Sequence, residues 1–183
     1  PWIFKVRDCV TDSYEPCTAD WYPSYLAFQY HQKPVVLNEE KFITWEDCAV
    51  SCQKWSNKGH KPLCLQLDLN DQIICLKEGN VWSGQVANTG HEFMVNIVIQ
   101  SSIPELIHGI TLEPGDTIEI IVAAAFGVDG LDSTELLANR AQHFTGHGMS
   151  IAEIVQNQQL EYGKWFDAAP SFESSDFLLD KTW

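Results

Sequence analysis

The sequence predicts a mainly β protein: a small disulfide-rich α+β module, built as a helix on a β-hairpin, followed by an antiparallel β-sandwich. Three observations predict it. All six cysteines fall in residues 1–84 and none in residues 85–183. The second half is dominated by short runs of β-branched residues separated by turn residues. Charge divides at the same place: residues 1–84 carry 8 Lys+Arg and 11 Asp+Glu, a net of −3, whereas residues 85–183 carry 3 and 14, a net of −11. The polar stretch Ser83-Gly84-Gln85-Val86-Ala87-Asn88-Thr89-Gly90 lacks apolar periodicity and is read as the linker, which gives domains 1–84 and 85–183.

Composition narrows the function classes. A chain of 183 residues that is 45% hydrophobic has the makings of a substantial core. Its formal charge of −14 repels phosphate backbones and anionic lipid, so nucleic acid is excluded as a partner. The longest apolar stretch, Ile118 to Phe126, is interrupted by Glu119 and falls far short of the roughly 20 residues a membrane helix needs, so no membrane insertion is expected. An even cysteine count without paired CxxC motifs reads as a disulfide framework and points to a secreted or extracellular protein. The opening Pro1-Trp2-Ile3-Phe4, without a charged segment followed by an apolar one, is the start expected of a mature chain whose signal peptide has been left out. No Asn-x-Ser/Thr sequon adds independent support for secretion.

Within the first half, Phe42-Ile-Thr-Trp-Glu-Asp-Cys48-Ala-Val-Ser-Cys52-Gln-Lys-Trp55 is read as a helix. Thr44 is placed to cap it and Asp47 to close the capping box. Cys48 and Cys52 then share a face, with Trp45 and Trp55 near the same stripe. Pro62 to Leu69 alternates as a strand, Asn70-Asp71 turns, and Gln72 to Leu76 returns as a second strand. Bridges Cys48–Cys75 and Cys52–Cys64 fit a helix lying on that hairpin, leaving Cys9 and Cys17 for a small N-terminal loop. Spacing alone selects no one pairing. The aromatic run Trp21 to Tyr30 is expected to serve the core of so small a module, the competing role being a recognition surface.

Trp45-Glu46-Asp47-Cys48, Cys52, Cys64-Leu-Gln-Leu and Ile74-Cys75-Leu76 follow one another as in the PAN/apple family, which residues 35–78 resemble. The resemblance implies an extracellular module that binds proteins or carbohydrates without chemistry of its own. Cys9, Cys17 and the aromatic run lie outside the simplest form of that pattern and are expected to form an extension.

In the second half, Glu92 to Ile99 and Gly109 to Val122 read as strands, the latter fed by a Pro114-Gly115 turn. Ala152 to Gln156 and Ser175 to Leu179 read as further short strands, and Glu135 to Ala141 as helical by propensity. An antiparallel sandwich accommodates such a pattern.

Leu112-Glu-Pro-Gly-Asp-Thr-Ile-Glu-Ile120, Leu136 to Arg140, His143-Phe144, Ile154 to Asn157 and Gly163-Lys164-Trp165 occur in the order of the corresponding elements of galectins. Residues 103–180 thus resemble a degenerate galectin-like domain. The resemblance implies a sugar site in which Trp165 stacks on the apolar face of a sugar, with His143 and Asn157 fixing hydroxyls. His147, Thr145, Ala168 and Pro170 stand where the family has Arg, Asn, Glu and Arg, so half the hydrogen-bonding set is missing. His147 and Tyr162 are expected to flank the ligand surface.

Catalytic constellations are sparse. His143 and His147 are four apart, but Gly146 and Gly148 disfavour the helix that zinc ligation at that spacing requires. Asp129-Gly-Leu-Asp132 with Glu135 misses the EF-hand spacing and reads as a solvated acidic loop. No metal or other cofactor is implied. The sequence therefore predicts an extracellular, non-enzymatic, lectin- or adhesion-like protein that binds a glycan or an extracellular protein, with oligomerisation open. The competing classes are a secreted hydrolytic or metal-dependent enzyme using His143 and His147, and a structural subunit of an extracellular assembly.

Overall fold

Strand β11 (Thr117–Val128) reads TIEIIVAAAFGV, and from Ile120 to Ala125 every residue is buried. An uninterrupted apolar run of this kind belongs to a strand covered on both faces. A computed structural model describes residues 4–8, 17–22, 24–32, 34–69, 73–78, 81–86, 95–128, 131–146 and 148–168. In it β11 lies inside an eight-stranded antiparallel sheet. On one side it pairs with β5 (Cys48–Asn57), from Thr117 opposite Ser56 to Ala125 opposite Cys48. On the other it pairs with β9 (Val95–Ser101), from Val122 opposite Ser101 to Val128 opposite Val95. Outward from β5 come β4 (Val35–Ile43), β3 (Tyr25–Gln32) and β2 (Thr18–Tyr22); outward from β9 come β8 (Val81–Val86) and β7 (Ile73–Glu78).

A second, three-stranded sheet packs against one face. It is ordered β1 (Phe4–Asp8), β6 (Leu63–Leu69) and β10 (Ile110–Leu112). The core between the sheets takes alternate residues of each strand: Phe4 and Val6, Leu65 and Leu67, Leu37 and Trp55, Ile97 and Ile99, Ile120 and Val122. The other face of the large sheet, carrying Phe42, Cys48, Val50, Cys52, Val98, Ile121, Ala123 and Ala125, is covered by helices α1 (Thr134–Thr145) and α2 (Ile151–Ala168) through Leu137, Ala141, Ile154 and Val155. The molecule is thus an antiparallel β-sandwich with a helical layer on its outer face. Both sheets draw strands from either side of residue 84, and Ser83–Val86, expected in a linker, complete β8.

Several sequence-based expectations fail for identifiable reasons. Residues 48–57 form β5 and not a helix. Thr44 does accept backbone N–H groups, from Glu46 at 3.3 Å and Cys48 at 3.2 Å, but it does so in the turn joining β4 to β5. Thr44 N donates to Cys48 O at 2.9 Å, and Asp47 takes a left-handed φ of 54°. A capping side chain and a hairpin-turn side chain use the same chemistry, so the motif alone does not separate them. Residues 62–69 and 72–76 do not make a hairpin, because β6 and β7 enter different sheets.

That arrangement removes the disulfide framework. Cys17, Cys48, Cys52 and Cys64 are unpaired. Cys52 faces the helical layer while β6, with Cys64, packs on the opposite face of the large sheet. Between Cys48 and Cys75 lie the strand spacings β5–β11–β9–β8–β7, about 19 Å at ~4.8 Å each, against a bridging limit of about 7 Å between Cα atoms. Cys9 lies outside the described residues. The aromatic run divides: in β2 every residue is exposed, with Trp21 at 86%, and Tyr22 stacks on Tyr25 with centroids 4.5 Å apart, whereas Tyr25 and Tyr30 of β3 are half-buried against the core clusters.

One polar cluster interrupts the apolar core. Glu39, 5% exposed on β4, accepts from Ser51 Oγ at 2.7 Å and Gln53 Nε2 at 2.9 Å through one oxygen. Its other oxygen receives Lys41 Nζ at 2.9 Å and the Tyr30 hydroxyl at 3.2 Å. Gln53 in turn accepts the Trp55 indole N–H at 2.7 Å. Burial of a carboxylate is tolerated because donors occupy both of its oxygens. Burial, with the Glu39 charge beside it, pushes the Tyr30 phenol well above its ordinary value.

Two predictions follow from these contacts. Replacing Glu39 by Ala removes the shared buried acceptor of Lys41, Ser51, Gln53 and Tyr30 and lowers stability by about 3–5 kcal/mol, whereas Glu39→Gln costs less; urea unfolding midpoints check both. Thiol titration at about pH 8 modifies exposed Cys17 in the native protein and reaches Cys48 and Cys52 only after denaturation. Burial pushes the Cys48 thiol up to about 12 and raises Cys52 as well.

Candidate functional site

The helical layer and the β4–β5 turn together form a concavity on the described surface. Helix α1 starts at Ser133, whose side chain accepts Leu136 N–H at 3.2 Å, and ends at Gly146. Glu135–Ala141, expected to be helical, lies within it. Helix α2 begins with a reciprocal capping box: Ser150 N–H and hydroxyl both donate to Glu153 at 2.8 Å, and Glu153 N–H returns to Ser150 Oγ at 3.3 Å. Residues 152–156, expected as a strand, are its second to sixth positions. The buried Ile154, Val155 and Gln158 give α2 a helical face toward the sheet. Gln158 Nε2 donates to Ile43 O at 3.2 Å and pins the helix beside the turn.

The resulting cleft has a volume of about 380 Å³. Thr44, Trp45 and Glu46 line it from the turn, His143 and Phe144 from the end of α1, and Asn157, Gln158 and Glu161 from α2. At its edge stands an aromatic group. The Trp45 ring lies 5.2 Å from that of Trp165 and 5.3 Å from that of Tyr162, centroid to centroid. Trp45 is 58% and Trp165 63% exposed, so large indole surface meets solvent beside polar side chains. Glu161 is paired with Lys164. Phe144 packs edge-on against Phe42 at 6.3 Å, tying the cleft floor to the core under α1.

Four of the five expected ligand residues come together here. His143 and Asn157 line the cleft, and Tyr162 and Trp165 join through Trp45. His147 lies outside the described residues. All four project from helices, whereas the galectin resemblance implied strands. Trp45, Glu46 and Glu161 were not read as site residues. Trp45 and Glu46 are remote in sequence from α2, and only the turn conformation brings them to it. No group of three or more His, Cys, Asp or Glu side chains among the described residues is placed to hold a metal ion. No helix among them is long and apolar enough to cross a membrane.

Nothing among protein families or curated proteins matches this sequence. Solved structures match in fold. One is described as a kojibiose phosphorylase from the human microbiome, 13% identical, with a TM-score of 0.52 over 76% of this chain and 23% of its own. Another is a polysaccharide lyase, 12% identical, with a TM-score of 0.49 over 75% of this chain and 27% of its own. The chain spans about a quarter of the length of either. The likeness to the first shows a shared sandwich fold.

The cap of α2 sets a pH dependence for the layer that builds the cleft. The Ser150 backbone N–H, then its hydroxyl, holds the Glu153 carboxyl below the usual carboxylate range. A lowered folded-state value contributes stability above the unfolded value and loses it as pH falls through the folded one. The stability difference between the wild-type protein and Glu153→Ala is therefore present at about pH 7 and disappears on acidification to about pH 3, as read from urea midpoints along the series.

Proposed function

We propose that this chain is a non-enzymatic recognition protein that binds a glycan at the cleft between the β4–β5 turn and α2. The observation that carries the reading is the pair of exposed indoles, Trp45 and Trp165, with half-buried Tyr162 beside them, at the edge of a cleft lined by Thr44, Asn157, Gln158, Glu46 and Glu161. Sugars present an apolar C–H face and a rim of hydroxyls, and this surface offers both complements: rings for the face, and amides, a hydroxyl and carboxylates for the rim. Rigid indoles give large contact area at low entropic cost, and Trp45 is held by a turn between two central strands.

Two substitutions test the assignment. Trp165→Ala and Trp45→Ala each weaken glycan retention roughly thirtyfold or more while leaving the far-ultraviolet circular dichroism and the unfolding midpoint nearly unchanged. A glycan array probed with wild-type protein and both variants checks this. Equal retention by all three proteins removes the cleft as the sugar site.

A further inference from the structure

The glycan reading leaves the ligand's charge open, and the cleft speaks to it. Two of its polar side chains, Glu46 and Glu161, are carboxylates, which accept hydrogen bonds and donate none when ionised. Gln158 commits one of its two amide N–H bonds to Ile43 O and keeps the other, with its carbonyl oxygen, for a ligand hydroxyl. Thr44 Oγ1 already receives two backbone N–H groups. The arginine and the lysine of α1 and α2 are engaged with acids: Arg140 with Asp132 at 3.5 Å, and Lys164 with Glu161. The surroundings have the same sign, since the whole chain carries −14. The Thr44 hydroxyl and the Asn157 and Gln158 amides serve donors and acceptors alike, so the charged groups separate one ligand class from another, and carboxylates favour a neutral or cationic ligand over an anionic one.

We infer that the cleft discriminates by charge, taking neutral or amino-bearing hexose units and rejecting uronate- and sulfate-bearing glycans. This rests on the glycan reading of the same site. Hydroxyl and ammonium hydrogens point into the carboxylates of Glu46 and Glu161, while an additional anion meets the Glu46 charge and a Glu161 charge already paired with Lys164, with no further arginine or lysine side chain on either helix to attract it. Amino sugars gain further from the electron-rich faces of Trp45 and Trp165. Because both carboxylates are exposed, the discrimination is screened by salt.

The best-retained glycan of the array provides the probe, compared with its C2-amino form and its C6-oxidised carboxylate form. Binding is measured by calorimetry at about pH 8, above the ordinary histidine range, in low and high salt. The expected order is amino, neutral, carboxylate, with the carboxylate form about tenfold or more weaker than the neutral form at low salt and the gap narrowing at high salt. The double variant Glu46→Gln, Glu161→Gln closes the gap between the neutral and carboxylate forms at low salt. Carboxylate binding as tight as neutral binding overturns the inference while leaving glycan recognition in place, as does a gap that neither salt nor the double variant alters. Failure of the wild-type protein to retain any glycan overturns the glycan reading and this inference with it.

Discussion

The register between β5 and β11 is the constraint on which the rest of the molecule depends. Nine consecutive residue pairs join these strands, from Thr117 and Ser56 to Ala125 and Cys48. Because side chains alternate, a slip of one residue turns one strand over relative to the other. With β11 held in place, Trp55 would then confront the helices, and Cys52 the smaller sheet. The register thus fixes which residues meet the sandwich core and which meet α1 and α2. It also fixes the end of the sheet from which the β4–β5 turn projects.

A second constraint is how the chain passes between sheets. The turn Glu113–Asp116 closes with Asp116 N–H donating to Glu113 O at 3.1 Å, and Gly115 takes a φ of 88° that a side chain rarely adopts. It leads from β10 in the small sheet to β11 in the large one. Asn57, fully buried at the end of β5, donates through its side chain to Leu112 O at 3.0 Å and Lys61 O at 2.8 Å, and its backbone bonds both ways with Gly115 and Asp116. These bonds stitch the sheet-to-sheet crossing to the central pair, so sandwich and helical layer share one scaffold.

The β character was legible where alternation or turn chemistry was local. β6, β9, β10 and β11 were readable, as was the Pro114-Gly115 turn. β5 was not, because it is buried on both faces: C-A-V-S-C-Q-K-W-S-N has no alternation to display, and its cysteine spacing also suits a helix. α2 was missed although Ser150 and Glu153 spell a capping box, since Ala152 to Gln156 taken alone passes for a short alternating strand. Within the site, Trp165, Asn157 and His143 were singled out through a family resemblance placing them on strands, with Tyr162 as a flanking residue, and the fold gathers all four from helices. Trp45 carried no local mark, because its part in the cleft depends on the hairpin turn and on a helix from the far end of the chain.

The three consecutive alanines at the middle of β11 place small side chains where both layers press closest. Ala124 faces the smaller sheet, and Ala123 and Ala125 face the helices. None of the three is exposed. Enlarging either outer alanine would jack α1 away from the strand, and the displacement would travel through Phe144 to the mouth beside Trp45. The bore of the cleft is therefore set from beneath, by a pair of methyl groups that are not part of its lining.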